Sequence, residues 1–168
     1  LYISWLGNKT ITAGVGFATV VLFFMTSIHI GFMIAVGALA GKAIGAGNRQ
    51  KAREIASAAL SLMIMTGIFT SILILLILPY ILPMLGATGQ AEQVARQFLY
   101  IAVPSNALMA LGMGMSGVLR AVGDARRAML VTLVAGIVTI FIDPLLIFGF
   151  ELGANGAAIA TFISRIVF

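Results

Sequence analysis

Cysteine is absent and histidine occurs once, so the chain holds neither a disulfide framework nor a thiolate and imidazole metal cluster. Acid is nearly as scarce, with five Asp and Glu against 10 Lys and Arg in 168 residues. So little charge cannot cover a water-facing shell, which excludes a soluble domain. Disorder is excluded as well. Disordered segments combine high charge with low hydrophobicity, and this chain is 61% apolar with a mean hydropathy of +1.15. Paired carboxylates, H-E-x-x-H and G-x-S-x-G are all missing, so nothing in the chain supports an enzyme. What remains is a polytopic, all-α membrane protein. A net charge of +5 would point a soluble protein toward nucleic acid. Here the charges sit in short connectors, where they act as membrane topology signals, and no nucleic-acid partner is expected.

The charge-free runs Thr10–Gly41, Ile55–Ala91, Gln97–Leu119 and Ala128–Phe150 (the last broken by Asp143) each exceed the roughly 20 residues that cross a bilayer. They predict spans near residues 10–43, 52–83, 92–122 and 127–150, with a fifth beginning near 156 and running to 168. Without an initiator Met, a basic leader or a cleavage site, Leu1–Gly7 reads as the end of a helix that begins upstream. Residues 1–168 thus read as a fragment, one transmembrane helical lobe. Lys42, Arg49, Lys51 and Arg53 follow the first full span, and Arg120, Arg126 and Arg127 follow the third. The other connectors hold Lys9 and Arg96 with Glu92 and Glu151. Loops 44–53 and 120–127 are therefore expected on the cytoplasmic side of the plasma (inner) membrane. Gly37, Gly41 and Gly45 form a small-residue stripe expected to admit another helix. Gly112, Gly114 and Gly117 match G-x-G-x-x-G, but inside an apolar helix with no preceding strand, so the match is discarded.

Function is expected from polar residues at membrane depth. Asp143 lies roughly 10 Å inside its span, at 1.5 Å per residue. A carboxylate there needs a wet cavity, a partner or a proton, and is functional by default; the structural alternative is a neutral, hydrogen-bonded acid. Pro144 removes the N–H that would bond the Ile140 carbonyl and bends the helix. An acid beside a freed carbonyl reads as a proton or cation site, with Na⁺ as the candidate metal. Thr139 lies one turn before Asp143, and Thr161 is at matching depth on the next span. Ser105 and Asn106 sit in mid-bilayer, where they either line the same cavity or bond a neighbouring helix. His29 reads as a hydrogen-bonded interhelical histidine or, alternatively, a proton carrier. Met109, Met113 and Met115 offer a soft surface to varied ligands or fill the core. Arg165, deep in the last span, is read as pairing with an acid or reaching a wet cleft.

The run Asp143-Pro-Leu-Leu-Ile-Phe-Gly149, with Leu152-Gly-Ala-Asn-Gly-Ala-Ala-Ile-Ala-Thr161-Phe-Ile-Ser-Arg165, resembles the fifth and sixth helices of the multidrug and toxic compound extrusion family. Leu119-Arg-Ala-Val-Gly-Asp124 with Arg127-Ala-Met129, Ile44-Gly-Ala-Gly-Asn48 and Ser4-Trp-Leu-Gly7 resemble other parts of its first lobe, in the family's order. The resemblance implies a twelve-helix transporter in two six-helix lobes. This chain would supply about five helices of the N-terminal lobe, and the C-terminal lobe would follow on the same polypeptide. It implies export of organic, often cationic, compounds in exchange for Na⁺ or H⁺, with no other cofactor. Asp143 then matches the family's acid on the fifth helix, and Thr161 a threonine on the sixth. Thr139 stands where many members have asparagine, and the lobe's other carboxylate would lie upstream of Leu1. A lipid-linked-precursor flippase of the same superfamily and a non-transporting membrane scaffold are the alternatives.

Overall fold

The computed structural model describes residues 9–146 and 153–167. The helix tail read at Leu1–Gly7, the outer end of the span at 147–150 and Glu151 lie outside the described residues. Among these residues six α-helices follow one another: α1 (Lys9–Gly45), α2 (Arg49–Met84), α3 (Gly89–Ala102), α4 (Asn106–Ala121), α5 (Ala125–Pro144) and α6 (Gly153–Val167). Four stretches among the described residues are long and apolar enough to cross a membrane: Thr10–Gly45, Arg49–Met84, Gly89–Ala121 and Ala125–Ile142. The third is α3 and α4 read as one span. Read from the sequence as one span near 92–122, it tightens into a 3₁₀ turn over Val103–Ser105. Pro104 is the cause, because it has no N–H to give to the Tyr100 carbonyl four residues back.

Two connectors share one construction. After α1, the amide of Asn48 reaches back to Ala43 O (3.0 Å) and that of Gly47 to Ile44 O (2.9 Å). After α4, Asp124 reaches Leu119 O (2.9 Å) and Gly123 reaches Arg120 O (3.1 Å). In each, glycine takes the left-handed backbone, φ 74° at Gly47 and 87° at Gly123, closing the helix end. The next residue then caps the following helix: Asn48 Oδ1 accepts from the Lys51 amide (2.9 Å), and Asp124 Oδ1 from the Arg127 amide (3.1 Å). Both basic connectors lie at the same end of the bundle, where Ile44, Arg49 and Arg53 share a cleft with Val118 and Val122.

Helix approach is set by glycines on both sides of α4. A Cβ at Gly67 of α2 would stand 2.7 Å from Ala107 Cα, and one at Gly117 of α4 would stand 2.8 Å from the Met33 carbonyl oxygen of α1. Gly114 meets the Met63 sulfur in the same way. The discarded G-x-G-x-x-G glycines thus include two contact points. The expected stripe does less: a Cβ at Gly37 would meet only the Gly117 carbonyl oxygen, at 3.6 Å, and one at Gly41 or Gly45 would meet nothing within 4 Å among the described residues. At the opposite end from the basic connectors, Val21 and Met25 of α1, Leu78 and Leu82 of α2, Leu99 of α3 and Ala158 of α6 form the core. Phe69 and Leu76 on α2 and Phe141 on α5 stay exposed, as side chains facing lipid do.

Candidate functional site

Hydroxyl groups at membrane depth first satisfy their own helices. Thr132 Oγ1 donates to Ala128 O (3.1 Å), Thr139 Oγ1 to Ala135 O (2.8 Å) and Thr161 Oγ1 to Ala157 O (2.8 Å). A hydroxyl whose proton is spent this way presents lone pairs only. Thr132, Thr139 and Thr161 line one open cavity of about 520 Å³, bounded by α1, α4, α5 and α6. They face it as acceptors, which suits a cation better than an anion.

Each helix contributes one stripe at helical spacing. From α4 come Met109, Met113, Ser116 and Arg120; from α5, Thr132, Ala135 and Thr139; from α6, Thr161, Ser164 and Arg165; and from α1, Ile30 and Met33. Thr139 and Ser164 are hydrogen-bonded to each other, which ties α5 to α6 at the cavity wall. Since Thr139 has already given its proton to Ala135, Ser164 is the donor in that pair.

Thr139, Thr161, Met109 and Met113 therefore share one cavity. Met115, two residues beyond Met113, points away and is exposed. The side chain of Asp143 lies outside the described part of the structure, although its backbone is helical, one turn beyond Thr139. Pro144 is the last residue of α5, and the two residues after it turn with π-helical geometry.

Ser105 and Asn106 are absent from the described lining and are fully buried at the Pro104 break. There the Asn106 amide turns to Val103 O, and the Ala102 carbonyl at the start of the turn accepts from side chains as well. Ser105 Oγ donates to it at 2.7 Å and Arg165 Nη1 at 3.2 Å. Ser71 Oγ of α2 shares its one proton between Gly67 O (2.7 Å) and the Val103 carbonyl (3.1 Å). Asn106 Nδ2 crosses to α2, donating to Thr70 Oγ1 (3.1 Å) and Gly67 O (3.4 Å). Its Oδ1 has no partner among the described residues.

His29 is also fully buried and outside the lining. The expected interhelical hydrogen bond is not made: neither ring nitrogen has a hydrogen-bond partner among the described residues. The hydroxyls next to it in sequence donate along their own helix, Thr26 to Leu22 O and Ser27 to Phe23 O.

Arg165 was read as pairing with an acid or reaching a wet cleft, and among the described residues it meets a cavity and no acid. It is half-buried, lines the cavity and bonds Ser105 Oγ (3.2 Å) as well as the Ala102 carbonyl. Its signal was present in the spacing Thr161, Ser164, Arg165, which sets all three on one helical face. Among the described residues no group of three or more His, Cys, Asp or Glu is placed to hold a metal ion.

The MatE family model matches residues 1–145. This chain belongs to that family. It is 33% identical over 161 residues to a probable multidrug resistance protein NorM of Thermotoga maritima, covering 92% of this chain and 34% of that protein. It is 32% identical over 171 residues to a FAD transporter of Shewanella oneidensis, covering 99% of this chain and 37% of the relative. The crystal structure of MATE in the bent conformation superposes with a TM-score of 0.95 at 26% identity, over 99% of this chain and 37% of that one. The chain thus spans about a third of the length of these relatives. MatE family members are transporters rather than enzymes, and this one is an integral, multi-pass membrane protein.

Proposed function

We propose that the chain forms the N-terminal lobe of a secondary antiporter that exports small organic compounds, often cationic, in exchange for Na⁺ or H⁺. The C-terminal lobe of the same polypeptide would complete the twelve-helix protein. The single observation that carries this reading is the cavity. Its α5 and α6 walls present the acceptor oxygens of Thr132, Thr139 and Thr161, and its α1 and α4 walls present Met33, Met109 and Met113. A site of this size, mostly apolar with a few placed polar groups, suits a small molecule. Asp143, on the same helix face as Thr139 by the spacing of four, is the proposed coupling group. A carboxyl group can carry either a proton or a cation, one at a time. Proton or Na⁺ and substrate then compete by biasing different conformations.

Efflux of a fluorescent organic cation from vesicles carrying the full-length protein, under separately imposed Na⁺ and H⁺ gradients, tests this. Gradient-dependent efflux with one ion is the expected result, and efflux indifferent to both gradients overturns it. The orientation is proposed from the seven basic residues that the two similar connectors carry. Cysteines placed at positions 48–50 and 124–126 should react with a membrane-impermeant reagent only from the cytoplasmic side. External labelling of both loops contradicts the topology.

A further inference from the structure

The described lining of the cavity contains two cations and no anion. Arg165 and Arg120 both contribute to it, and no Asp or Glu does among the described residues. The two differ in setting. Arg120 ends the α4 stripe beside the basic connector and is exposed, whereas Arg165 is half-buried at the level of Ser105. Fifteen helical residues separate these levels, roughly 20 Å at 1.5 Å per residue.

Among the described residues Arg165 is held by neutral groups and meets no acid. Nη1 is spent on the Ala102 carbonyl and on Ser105 Oγ, both uncharged acceptors. Nε and Nη2 donate to nothing among the described residues. The two anchoring bonds fix the guanidinium plane, so its remaining edge is presented in a set direction. A guanidinium edge matches two oxygens of a carboxylate, sulfonate or phosphate. Nearby, Met109 and Met113 supply an adaptable apolar surface.

We infer that Arg165 anchors the acidic group of an amphipathic organic anion, whose apolar body lies along Met109 and Met113. The inference rests on the export reading and narrows its cargo: the organic compound carries a carboxylate, sulfonate or phosphate, where the general expectation was a cation. It concerns the donor side of the cavity, at Arg165, and leaves the acceptor oxygens of Thr139 and Thr161 to the coupling ion.

The test uses two dyes with the same xanthene body and opposite charge, fluorescein and rhodamine 123. Binding to the purified full-length protein is read by fluorescence anisotropy. Fluorescein should bind the wild-type protein more tightly, and naphthalene-2-sulfonate should displace it. Arg165→Gln should weaken fluorescein about tenfold or more while leaving rhodamine 123 unchanged or tighter, and Arg165→Lys should restore part of the loss. The wild-type preference needs no variant to fold, so it stands alone as evidence. Preference for rhodamine 123, binding of neither dye, or fluorescein binding indifferent to a folded Arg165→Gln protein overturns the inference.

Liposomes with and without phosphatidylglycerol separate two sources of the anion. Fluorescein binding equal in both upholds a soluble anion, and displacement by the lipid assigns the same arginine to an anionic headgroup. If fluorescein binds through Arg165 but no dye is exported under either gradient, the export reading fails and the binding site stands.

Discussion

The seam where α1 and α2 close on α4 and the wall where α4, α5 and α6 surround the cavity share one helix, yet they are built on opposite rules. At the seam, α4 turns Asn106, Ala110, Gly114 and Gly117 inward, all buried, and backbone approaches backbone. At the wall, the same helix turns Met109, Met113, Ser116 and Arg120 toward open space. The seam has glycines where no Cβ fits, and the wall has long or polar side chains with room to move. Dispersion between close backbones and a few buried hydrogen bonds hold helices together in lipid, where the hydrophobic effect does not. The lesson is a division of labour: one face of α4 fixes the bundle so that the other can remain unfilled.

That division breaks most severely at the seam. Gly67→Leu places atoms where Ala107 Cα already stands, 2.7 Å from the first added carbon. Overpacking of this kind costs about 3 kcal/mol. The full-length variant should lose most of its monodisperse yield and melt well below wild type. Gly41→Leu, where nothing lies within 4 Å, should melt at the wild-type temperature. Equal melting of the two variants would remove the distinction between contact glycines and idle ones.

The next largest effect belongs to the wall and touches function alone. Asp143→Asn is nearly isosteric but cannot ionise. It should insert and melt normally while gradient-driven export falls to background in liposomes. Retained export with unchanged ion dependence removes Asp143 from the coupling site. Smaller still are Thr161→Ala and Thr139→Ala. Each removes one neutral ligand oxygen, worth roughly 0.5–1.5 kcal/mol, so the half-saturating concentration of the coupling ion should rise about two- to tenfold. Titration of export rate against that ion measures the shift.

The spans were legible because burial in lipid demands long apolar runs, and the basic connectors because charge cannot enter such runs. Helix starts fall close to expectation, with α2 beginning at Arg49 where 52 was read and α5 at Ala125 where 127 was read. Asn48 and Asp124 explain both differences, since each caps its helix ahead of the apolar run. Packing was far less legible. The stripe Gly37, Gly41 and Gly45 looked like a contact face, yet Gly14, Gly67, Gly114 and Gly117 leave no room for a Cβ, because which glycine meets a neighbour depends on the register of two distant helices. Thr161 was matched by depth to Asp143, whose side chain lies outside the described part of the structure, and depth says nothing of direction. Hence Met113 and Met115, two residues apart, face opposite environments. Arg165 finds its bonds at a 3₁₀ turn about 60 residues earlier in the chain, and no local pattern reports a bond of that separation.

The central claim is that the wall of α4, α5 and α6 is the substrate path and that the outer face of α5 is not. Single cysteines decide it most directly, because this chain has none of its own. In full-length protein free of other cysteines, positions 113 and 161 line the cavity, whereas position 141 carries a phenylalanine that is 73% exposed on the lipid side. The account predicts that a water-soluble methanethiosulfonate reagent modifies Met113→Cys and Thr161→Cys, that an exported dye slows both reactions, and that Phe141→Cys stays unmodified. Modification at 141 with no dye protection at 113 and 161 would contradict it.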